Sequence, residues 1–168
     1  MAEKSYELVV HPYEPVYSKN SKVLILGTIA SPKSRANGFY YTHPQNRFWK
    51  VFSNILGSDF PVNIEDKKKL FLDNDIALWD VLKSALVAGA SDSSIKEPIP
   101  NDLNLILNSA NIRAIFITGK RAYSLYNKLC LKHTNFEAVS LPSTSPANCA
   151  FSFDNLIKEY SVILKYLH

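Results

Sequence analysis

Four short apolar runs recur along the chain and predict buried β-strands. They occupy residues 22–27, 76–79, 113–119 and 136–141. Most positions in each run are apolar, which is typical of strands in a parallel sheet that is covered on both faces. Gly27 and Gly119 end two of the runs, as expected for residues that stop a strand.

Between these strands the apolar residues recur at helical spacing or follow residues that cap helices. Phe48, Phe52, Ile55 and Leu56 stand at i, i+4, i+7 and i+8, and Gly57 follows them, so a helix is predicted after Asn46. N-cap residues and periodicity predict further helices at residues 63–74, 101–107, 120–131 and 152–167. We expect residues 84–100 to be irregular, although a helix could begin over residues 80–88.

Strands that alternate with helices predict an α/β fold with three layers, α/β/α, around a central, mostly parallel four-stranded sheet. The 168 residues fit a single domain spanning positions 1–168. In such sheets ligands bind outside the carboxyl ends of the strands, where the strand order switches. This rule selects the long loops at residues 28–45 and 141–148 as the candidate binding region.

Charge is distributed unevenly along the chain. The net charge is only +4, but no acidic residue lies between Pro15 and Ser58 or between Leu103 and Phe136, and both stretches contain several lysines and arginines. Acidic residues concentrate at 65–80 and 92–102. The pattern fits either a basic surface for nucleic acid or ordinary solvated helix faces.

Metal and cofactor sites are not expected. Cys130 and Cys149 form no CxxC pair and are interpreted as free buried thiols, and the four histidines have no metal-ligand spacing. No dinucleotide or P-loop motif is present. Asp80, Asp92 and Asp102 are too scattered to predict a carboxylate pair, so each is interpreted as a cap or a surface acid.

The sequence contains no apolar run of about 18 residues and no secretory signal pattern. We therefore expect a soluble intracellular protein that is cytoplasmic, associated with the nucleoid if the source is prokaryotic. No membrane contact is expected, and the protein is expected to be a monomer.

Residues 38–49, Gly-Phe-Tyr-Tyr-Thr-His-Pro-Gln-Asn-Arg-Phe-Trp, bring five aromatic side chains, two amides and an arginine to the start of a helix. Core packing accounts for Phe48 and Trp49, but it does not account for Tyr40, Tyr41 and Asn46 lying together. Asn46 could cap the helix or could belong to a functional site.

Five stretches of the chain together resemble the uracil-DNA glycosylase superfamily: residues 24–34, 38–49, 77–82, 91–95 and 141–148. The strings His-Pro-Gln-Asn-Arg-Phe-Trp and Leu-Pro-Ser-Thr-Ser-Pro-Ala-Asn are the most specific. The chain is more narrowly similar to the hypoxanthine-DNA (deoxyinosine) glycosylase branch, called family six, which is related to the mismatch-specific uracil-DNA glycosylases. The resemblance extends from about Pro12 to the C-terminus.

The resemblance implies a monofunctional glycosylase of base-excision repair that hydrolyses the N-glycosidic bond of a flipped, deaminated base, here hypoxanthine, in DNA. It assigns catalysis to Asn46, whose carbonyl oxygen would hold a water in line with the sugar C1′. Tyr41, or alternatively Tyr40, would stack on the base. His43 could act as an acid or could simply bond to its own loop.

Two departures bear on the choice of base. Ile29 stands where the mismatch-specific enzymes have a water-positioning Asn, and Leu141 replaces a base-contacting His or Asn. Both replacements favour deoxyinosine over uracil. Ile29 and Leu141 are expected beside the base, where Asn148 could donate a hydrogen bond to it.

DNA is the expected partner. The alternatives are a uracil or mismatch-specific glycosylase, and an inert nucleic-acid-binding module on the same fold. The residues expected to contact DNA phosphates are Ser143, Thr144, Ser145, Lys33, Arg35, Lys120 and Arg121.

Overall fold

The computed structural model describes residues 5–168. In chain order its elements are β1 (Glu7–Val10), β2 (Val23–Gly27), α1 (Pro32–Asn37), α2 (Phe48–Ile55), α3 (Ile64–Asp73), β3 (Ile76–Asp80), β4 (Leu82–Val87), β5 (Lys96–Pro100), α4 (Asn104–Leu107), β6 (Ala114–Thr118), α5 (Lys120–Leu129), α6 (Leu131–Thr134), β7 (Ala138–Leu141) and α7 (Phe153–Tyr160). Short 3₁₀ helices lie at Asp92–Ser94 and Ser161–Tyr166.

The central sheet has four parallel strands in the order β3-β2-β6-β7. These are the four strands that the apolar runs predict, and the predicted fold class is confirmed. Every residue of β2, β3 and β6 is buried, which explains why these runs show no polar alternation. Since β3 and β6 flank β2 on opposite sides, the strand order switches at β2.

Helices cover both faces of this sheet. The chain passes from β2 to β3 on one side, and later from β3 to β6 and β7 on the other. Because such connections are right-handed, the opposite directions place α2 and α3 on one face of the sheet and α4 and α5 on the other. The packing agrees, since α7 contacts α2 while α6 contacts both α4 and α5. The result is the three-layer arrangement expected from the sequence.

A second sheet is antiparallel, in the order β1-β4-β5, and it was not predicted. The expectation of an irregular segment at 84–100 is wrong where β4 and β5 lie and holds only between them, and the helix that could begin over 80–88 does not form. Register shifts against β5 interrupt the alternation of apolar and polar residues along β4. As a result, the apolar residues stand at a spacing that resembles that of a helix: Val81, Leu82, Ala85 and Leu86. The prolines of β5 are tolerated because that strand lies at the edge of the sheet.

The predicted helix caps are confirmed at Asn63 and Ser152, whose side chains accept hydrogen bonds from the amides of Asp66 and Asn155. Other helix boundaries differ from expectation. The predicted helix at 120–131 is divided into α5 and α6. The loop at 28–45 contains the short helix α1, which Ser31 caps.

An aromatic cluster fixes the start of α2. The Phe52 ring centroid lies 4.7 Å from that of Phe48, 4.9 Å from that of Phe71 and 5.7 Å from that of Tyr160. All four side chains are fully buried. Because these contacts join α2, α3 and α7, the residues just before α2 are held in place.

The two cysteines differ in environment. Cys130 is buried, and burial raises the pKa of its thiol to about 11, whereas Cys149 is exposed. The expectation of two buried thiols is therefore wrong for Cys149. Within residues 5–168 no helix combines the length and the apolar character needed to cross a membrane.

Candidate active site

A cavity of about 850 Å³ opens at the carboxyl ends of the parallel strands. Gly27 and Thr28 line it at the end of β2, and Thr118 and Gly119 line it at the end of β6. It therefore lies at the switch in strand order, where the sequence analysis placed the binding region. We call it the active-site cavity.

Asn46 lines the active-site cavity just ahead of α2. Its Oδ1 accepts hydrogen bonds from the Phe48 amide at 2.9 Å and from the Thr144 hydroxyl at 2.8 Å. Because the Phe48 amide can only donate, these bonds fix which end of the Asn46 side chain is the oxygen. Both lone pairs of Oδ1 are occupied, so the amide nitrogen Nδ2 remains for a ligand. The expectation that the carbonyl oxygen holds the water does not fit this geometry.

Arg47 links the two motif loops. Its guanidinium donates to the carbonyl oxygens of Ser145 at 3.1 Å, Asn148 at 3.0 Å, and Phe151. Its backbone amide donates to the Thr144 carbonyl oxygen at 3.1 Å. The loop at 141–151 is therefore held in shape by a residue of the 38–49 segment.

Tyr41 lies against Phe48 with parallel rings, whose centroids are 3.8 Å apart. Its hydroxyl is 3.1 Å from Oγ1 of Thr118. Burial, followed by the charge of Asp80, raises the pKa of Tyr41 well above its ordinary value, so the hydroxyl stays protonated. Because Phe48 covers one ring face, a ligand can stack only on the other.

Gly27 makes room for this arrangement. A Cβ at Gly27 would lie 2.2 Å from the Tyr41 hydroxyl oxygen and 2.6 Å from Oδ1 of Asp80. Neither distance is possible between real atoms, so only glycine permits both side chains to approach the end of β2.

The other predicted base-binding residues have different environments. Tyr40 is among the residues that line the cavity, but its side chain is buried and its hydroxyl donates to the Glu14 carbonyl oxygen at 2.9 Å, so it packs mainly in the core. Ile29 and Leu141 both line the cavity and form an apolar part of its wall. Asn148 also lines it, with Nδ2 donating to the Ser143 carbonyl oxygen at 2.9 Å.

The Ser143–Thr144–Ser145 segment is divided between interior and surface. Thr144 is 1% exposed, and its hydroxyl donates a hydrogen bond to Oδ1 of Asn46. Contrary to expectation, this hydroxyl is therefore not placed to bind phosphate. Ser143 and Ser145 are partly exposed and line the cavity.

The four basic residues among the predicted phosphate contacts also separate into two kinds. Lys33, Lys120 and Arg121 are exposed, and none of them forms an ion pair within residues 5–168. Arg35 instead donates to the Ala30 carbonyl oxygen at 2.9 Å and pairs with Glu7 at 3.5 Å. Its charge is therefore partly used inside the protein.

Sequence reasoning missed Asp80 and His11. Asp80 ends β3 and is 3% exposed, and its Oδ2 lies 2.7 Å from Nε2 of His11. The interpretation of Asp80 as a cap or surface acid is wrong. An acid that follows a buried parallel strand is the signal that would have found it, since the rule applied to the loops at 28–45 and 141–148 applies equally to β3.

Asp92 was also missed. It lines the cavity, and its Oδ2 accepts a hydrogen bond of 3.0 Å from Oγ1 of Thr28. Although its side chain is open to the cavity, the surrounding protein desolvates the carboxyl and raises its pKa, while the Thr28 bond lowers it in part. Asp102, in contrast, is exposed and accepts from the Asn104 amide at 3.2 Å, as expected for a cap.

No cluster of potential metal ligands occurs within the part of the chain that the structure describes. His43 is not among the residues that line the active-site cavity, and its Nδ1 accepts from the Gln45 amide at 3.1 Å. This contact agrees with the interpretation that His43 bonds to its own loop.

Three comparisons with known proteins agree. A family model for the uracil DNA glycosylase superfamily matches residues 14–167. A hypoxanthine DNA glycosylase of Methanosarcina barkeri (strain Fusaro / DSM 804) is 31% identical over 138 residues, covering 81% of this chain and 86% of the relative. A hypoxanthine DNA glycosylase of Methanosarcina acetivorans is 30% identical over 161 residues, covering 95% of this chain and all of the relative.

The fold agrees as well. The solution NMR structure of a candidate uracil DNA glycosylase from Methanosarcina acetivorans superimposes with a TM-score of 0.81 at 30% identity, covering 96% of this chain and 99% of that one. The resemblance found in the sequence is confirmed. The chain belongs to the uracil DNA glycosylase superfamily and is a DNA glycosylase, an enzyme that hydrolyses N-glycosidic bonds.

Proposed function

We propose that this glycosylase excises hypoxanthine from DNA by monofunctional hydrolysis, leaving an abasic site. The observation that carries the proposal is Nδ2 of Asn46, which has no hydrogen-bond partner within residues 5–168. Its side chain lines the active-site cavity together with Tyr41, whose ring is covered by Phe48 on one face. The two relatives named hypoxanthine DNA glycosylase support the choice of base.

The base must leave the duplex to enter the cavity. Flipping costs a few kcal/mol and costs least for a mispaired base such as hypoxanthine. Stacking on the open face of Tyr41 would return about 1–3 kcal/mol, with no preference among bases. The cavity volume of about 850 Å³ leaves room for the base together with part of its sugar.

Asn46 would position the attacking water without acting as a base, because an amide is not basic near neutral pH. With Oδ1 occupied by Phe48 and Thr144, the Nδ2 group donates to the water oxygen. A second lone pair of the water then faces C1′ of the sugar. Fixing this geometry before reaction lowers the entropy cost of the attack.

Positive charge develops on the sugar as the glycosidic bond breaks. The neighbouring DNA phosphates can stabilise it, and so can the Asp92 carboxylate at the cavity wall. Thr28 holds that carboxylate by the 3.0 Å hydrogen bond. A carboxylate in this position favours a dissociative reaction path.

DNA would lie across the loops at 28–45 and 141–148. Lys33, Lys120 and Arg121 are the exposed cations available to its phosphates, together with the Ser143 and Ser145 hydroxyls. We further propose that the protein acts as a monomer in the cytoplasm, associated with the nucleoid if the source is prokaryotic.

A uracil-specific or mismatch-specific glycosylase is the alternative. Ile29 and Leu141 present apolar surface to the cavity, so neither can position water or bond to a pyrimidine edge. An inert binding module is the second alternative, and such a module would have no use for the free amide of Asn46.

The test uses oligonucleotides that contain deoxyinosine, deoxyuridine or deoxyxanthosine, with alkali cleavage of the abasic product. We expect excision of hypoxanthine to be fastest. Activity on uracil alone would overturn the substrate assignment, and no excision of any base would favour the inert module.

Borohydride trapping tests the monofunctional mechanism. Lys120 brings an amine to the cavity, so the Lys120→Gln variant is tested beside the wild-type protein. We expect no covalent adduct from either protein. An adduct that the wild type forms and the variant does not would establish a Schiff base at Lys120.

A further inference from the structure

Hypoxanthine differs from adenine at two neighbouring positions only. Deamination replaces the amino group on C6 with a carbonyl oxygen, and it places a hydrogen on N1, where adenine has a lone pair. A site that separates the two purines must contact one of these positions. The Asn46 and Tyr41 contacts proposed above involve neither.

We propose that Oδ1 of Asp80 accepts the N1–H of the flipped hypoxanthine, with His11 as the positioning residue that holds the carboxylate. The inference rests on the proposed function and extends it to the recognition of the base. It gives the cavity a means to reject adenine.

The two carboxylate oxygens of Asp80 have different surroundings. Oδ2 is 2.7 Å from Nε2 of His11. Oδ1 has no hydrogen-bond partner within the described residues, and Asp80 lines the active-site cavity. An ionised carboxylate is an acceptor only, so the open oxygen favours a base edge that carries an N–H.

Asp80 is held from several directions. The His11 side chain is 3% exposed, and its Nδ1 lies 3.0 Å from the Tyr13 carbonyl oxygen. The Asp80 carbonyl oxygen accepts from Nδ2 of Asn101 at 2.8 Å. The next residue, Val81, donates its amide to the Gly27 carbonyl oxygen at 2.8 Å. The carboxylate is therefore fixed before any ligand arrives.

The distance between Asp80 and the stacking surface is also suitable. Oδ1 of Asp80 and the hydroxyl oxygen of Tyr41 would both lie within contact distance of a single atom, a Cβ on Gly27. The two oxygens are consequently close neighbours. A base that stacks on Tyr41 would then have its edge beside Asp80.

This arrangement selects bases by their ring N–H. Adenine in the same pose would point its N1 lone pair at the carboxylate, which is repulsive. Xanthine keeps an N1–H, and uracil has an equivalent N3–H. Asp80 therefore discriminates deaminated bases from adenine, but it does not discriminate among hypoxanthine, xanthine and uracil.

The experiment measures binding of single-stranded oligonucleotides, so that base pairing does not contribute. Each carries one 2′-fluoro nucleotide that resists hydrolysis, with hypoxanthine, adenine or 1-methylhypoxanthine as the base. We expect the wild type to prefer hypoxanthine over adenine by roughly tenfold to a hundredfold, the effect of one buried polar group losing its partner.

Asp80→Asn is the main variant, because its amide can turn to donate to N1 of adenine. We expect the preference ratio to fall to within about threefold of unity. The control Asp59→Asn makes the same chemical change at an exposed position and should leave the ratio unchanged. A ratio of affinities does not depend on the folded fraction, so a loss of stability alone cannot produce this result.

Asp80→Ala gives an independent gain-of-binding test. Removing the carboxylate leaves space for a methyl group on N1, so binding of 1-methylhypoxanthine relative to hypoxanthine should rise above the wild-type ratio. If the wild type excises hypoxanthine but the Asp80→Asn variant still prefers hypoxanthine over adenine, this inference is overturned and the proposed function stands. Failure of the wild type to excise hypoxanthine would overturn the proposed function and this inference with it.

Discussion

The Thr144 hydroxyl donates a 2.8 Å hydrogen bond to Oδ1 of Asn46, joining side chains that are 98 positions apart in the chain. This bond connects the two sequence strings that are most specific to the family. It also decides which end of the Asn46 side chain is available, since it occupies the second lone pair of the oxygen. The amide nitrogen is consequently the end that the proposed mechanism uses to hold the water.

Asn46→Asp tests the donor end of this side chain separately from the acceptor end. The carboxylate can still accept from Phe48 and Thr144, so we expect the free energy of unfolding to change by less than about 1 kcal/mol. The donor is lost, and the single-turnover excision rate should fall roughly a hundredfold to a thousandfold, as when one catalytic hydrogen-bond donor is removed.

Asn46→Ala provides the comparison. It removes the acceptor as well and should cost an additional ~1 kcal/mol of stability while affinity for the DNA changes little. An Asn46→Asp enzyme as fast as the wild type would show that an oxygen atom holds the water.

Tyr41→Ala tests stacking. We expect affinity for hypoxanthine-containing DNA to weaken by about 1–3 kcal/mol, because the open ring face is lost. Tyr41→Phe keeps the ring and should retain most of the affinity. Binding is measured on a nucleotide that cannot be hydrolysed, and equal losses in both variants would assign the effect to the hydroxyl.

Gly27→Ala should disturb the cavity although it adds a single methyl group. The new Cβ would overlap the Tyr41 hydroxyl and Oδ1 of Asp80, and relieving such overlaps typically costs about 1–3 kcal/mol. Thermal unfolding and excision rate measure the effect. Gly57→Ala is the comparison, because its Cβ would meet no atom within 4 Å. Unlike Gly27, Gly57 has a left-handed backbone, so its substitution costs stability through backbone strain alone and should leave the excision rate of the folded protein unchanged. Unchanged activity in Gly27→Ala would contradict the described fit.

The salt dependence of DNA binding tests the basic residues. Each neutralised phosphate contributes about 0.9 to the log-log slope, so Lys33→Ala with Lys120→Ala should flatten it by nearly two. Arg35→Ala should change the slope less, because Arg35 already pairs with Glu7. Equal effects of Arg35 and Lys33 would show that the Glu7 pair opens when DNA binds.

Asp92→Asn should stabilise the protein in a pH-dependent way. Desolvation of the carboxyl by the surrounding protein raises the pKa of Asp92 above its ordinary value of 3.8, although the side chain is open to the cavity. The folded state therefore binds the proton more tightly than the unfolded state does. Wild-type stability therefore falls as pH rises through the interval above 3.8. The variant cannot ionise at this position, so it does not lose stability in this way. Its amide oxygen can still accept the hydrogen bond from the Thr28 hydroxyl.

Melting temperature measured from acidic to neutral pH checks this prediction. The variant's advantage should be largest near neutral pH and should vanish once both states of the wild type are protonated. Its excision rate should fall, because the negative charge that the proposed mechanism places beside the sugar is lost. A variant that is no more stable at neutral pH would contradict the raised pKa.

The sequence predicts the central sheet because β2, β3 and β6 are buried runs whose apolar character does not depend on their partners, and β7 is buried at both of its ends. The antiparallel sheet is different. The shape of β4 depends on register shifts against β5, which no local pattern records.

The site divides in the same way. Asn46 and Tyr41 lie in one contiguous string and could be found by resemblance to a family. His11 and Asp80 are 69 positions apart and meet only in the folded chain. Their contact depends on β1 joining a sheet that was not predicted.

The partly buried guanidinium of Arg47 has an electrostatic consequence for the loop at 141–151, which carries no charged side chain of its own. No carboxylate pairs with Arg47 within residues 5–168, so its positive charge is balanced only by carbonyl dipoles. Mobile ions screen a charge beneath a loop less than they screen a charge in solvent. A phosphodiester resting on this loop would therefore experience an attraction that persists at salt concentrations where the surface lysines contribute little.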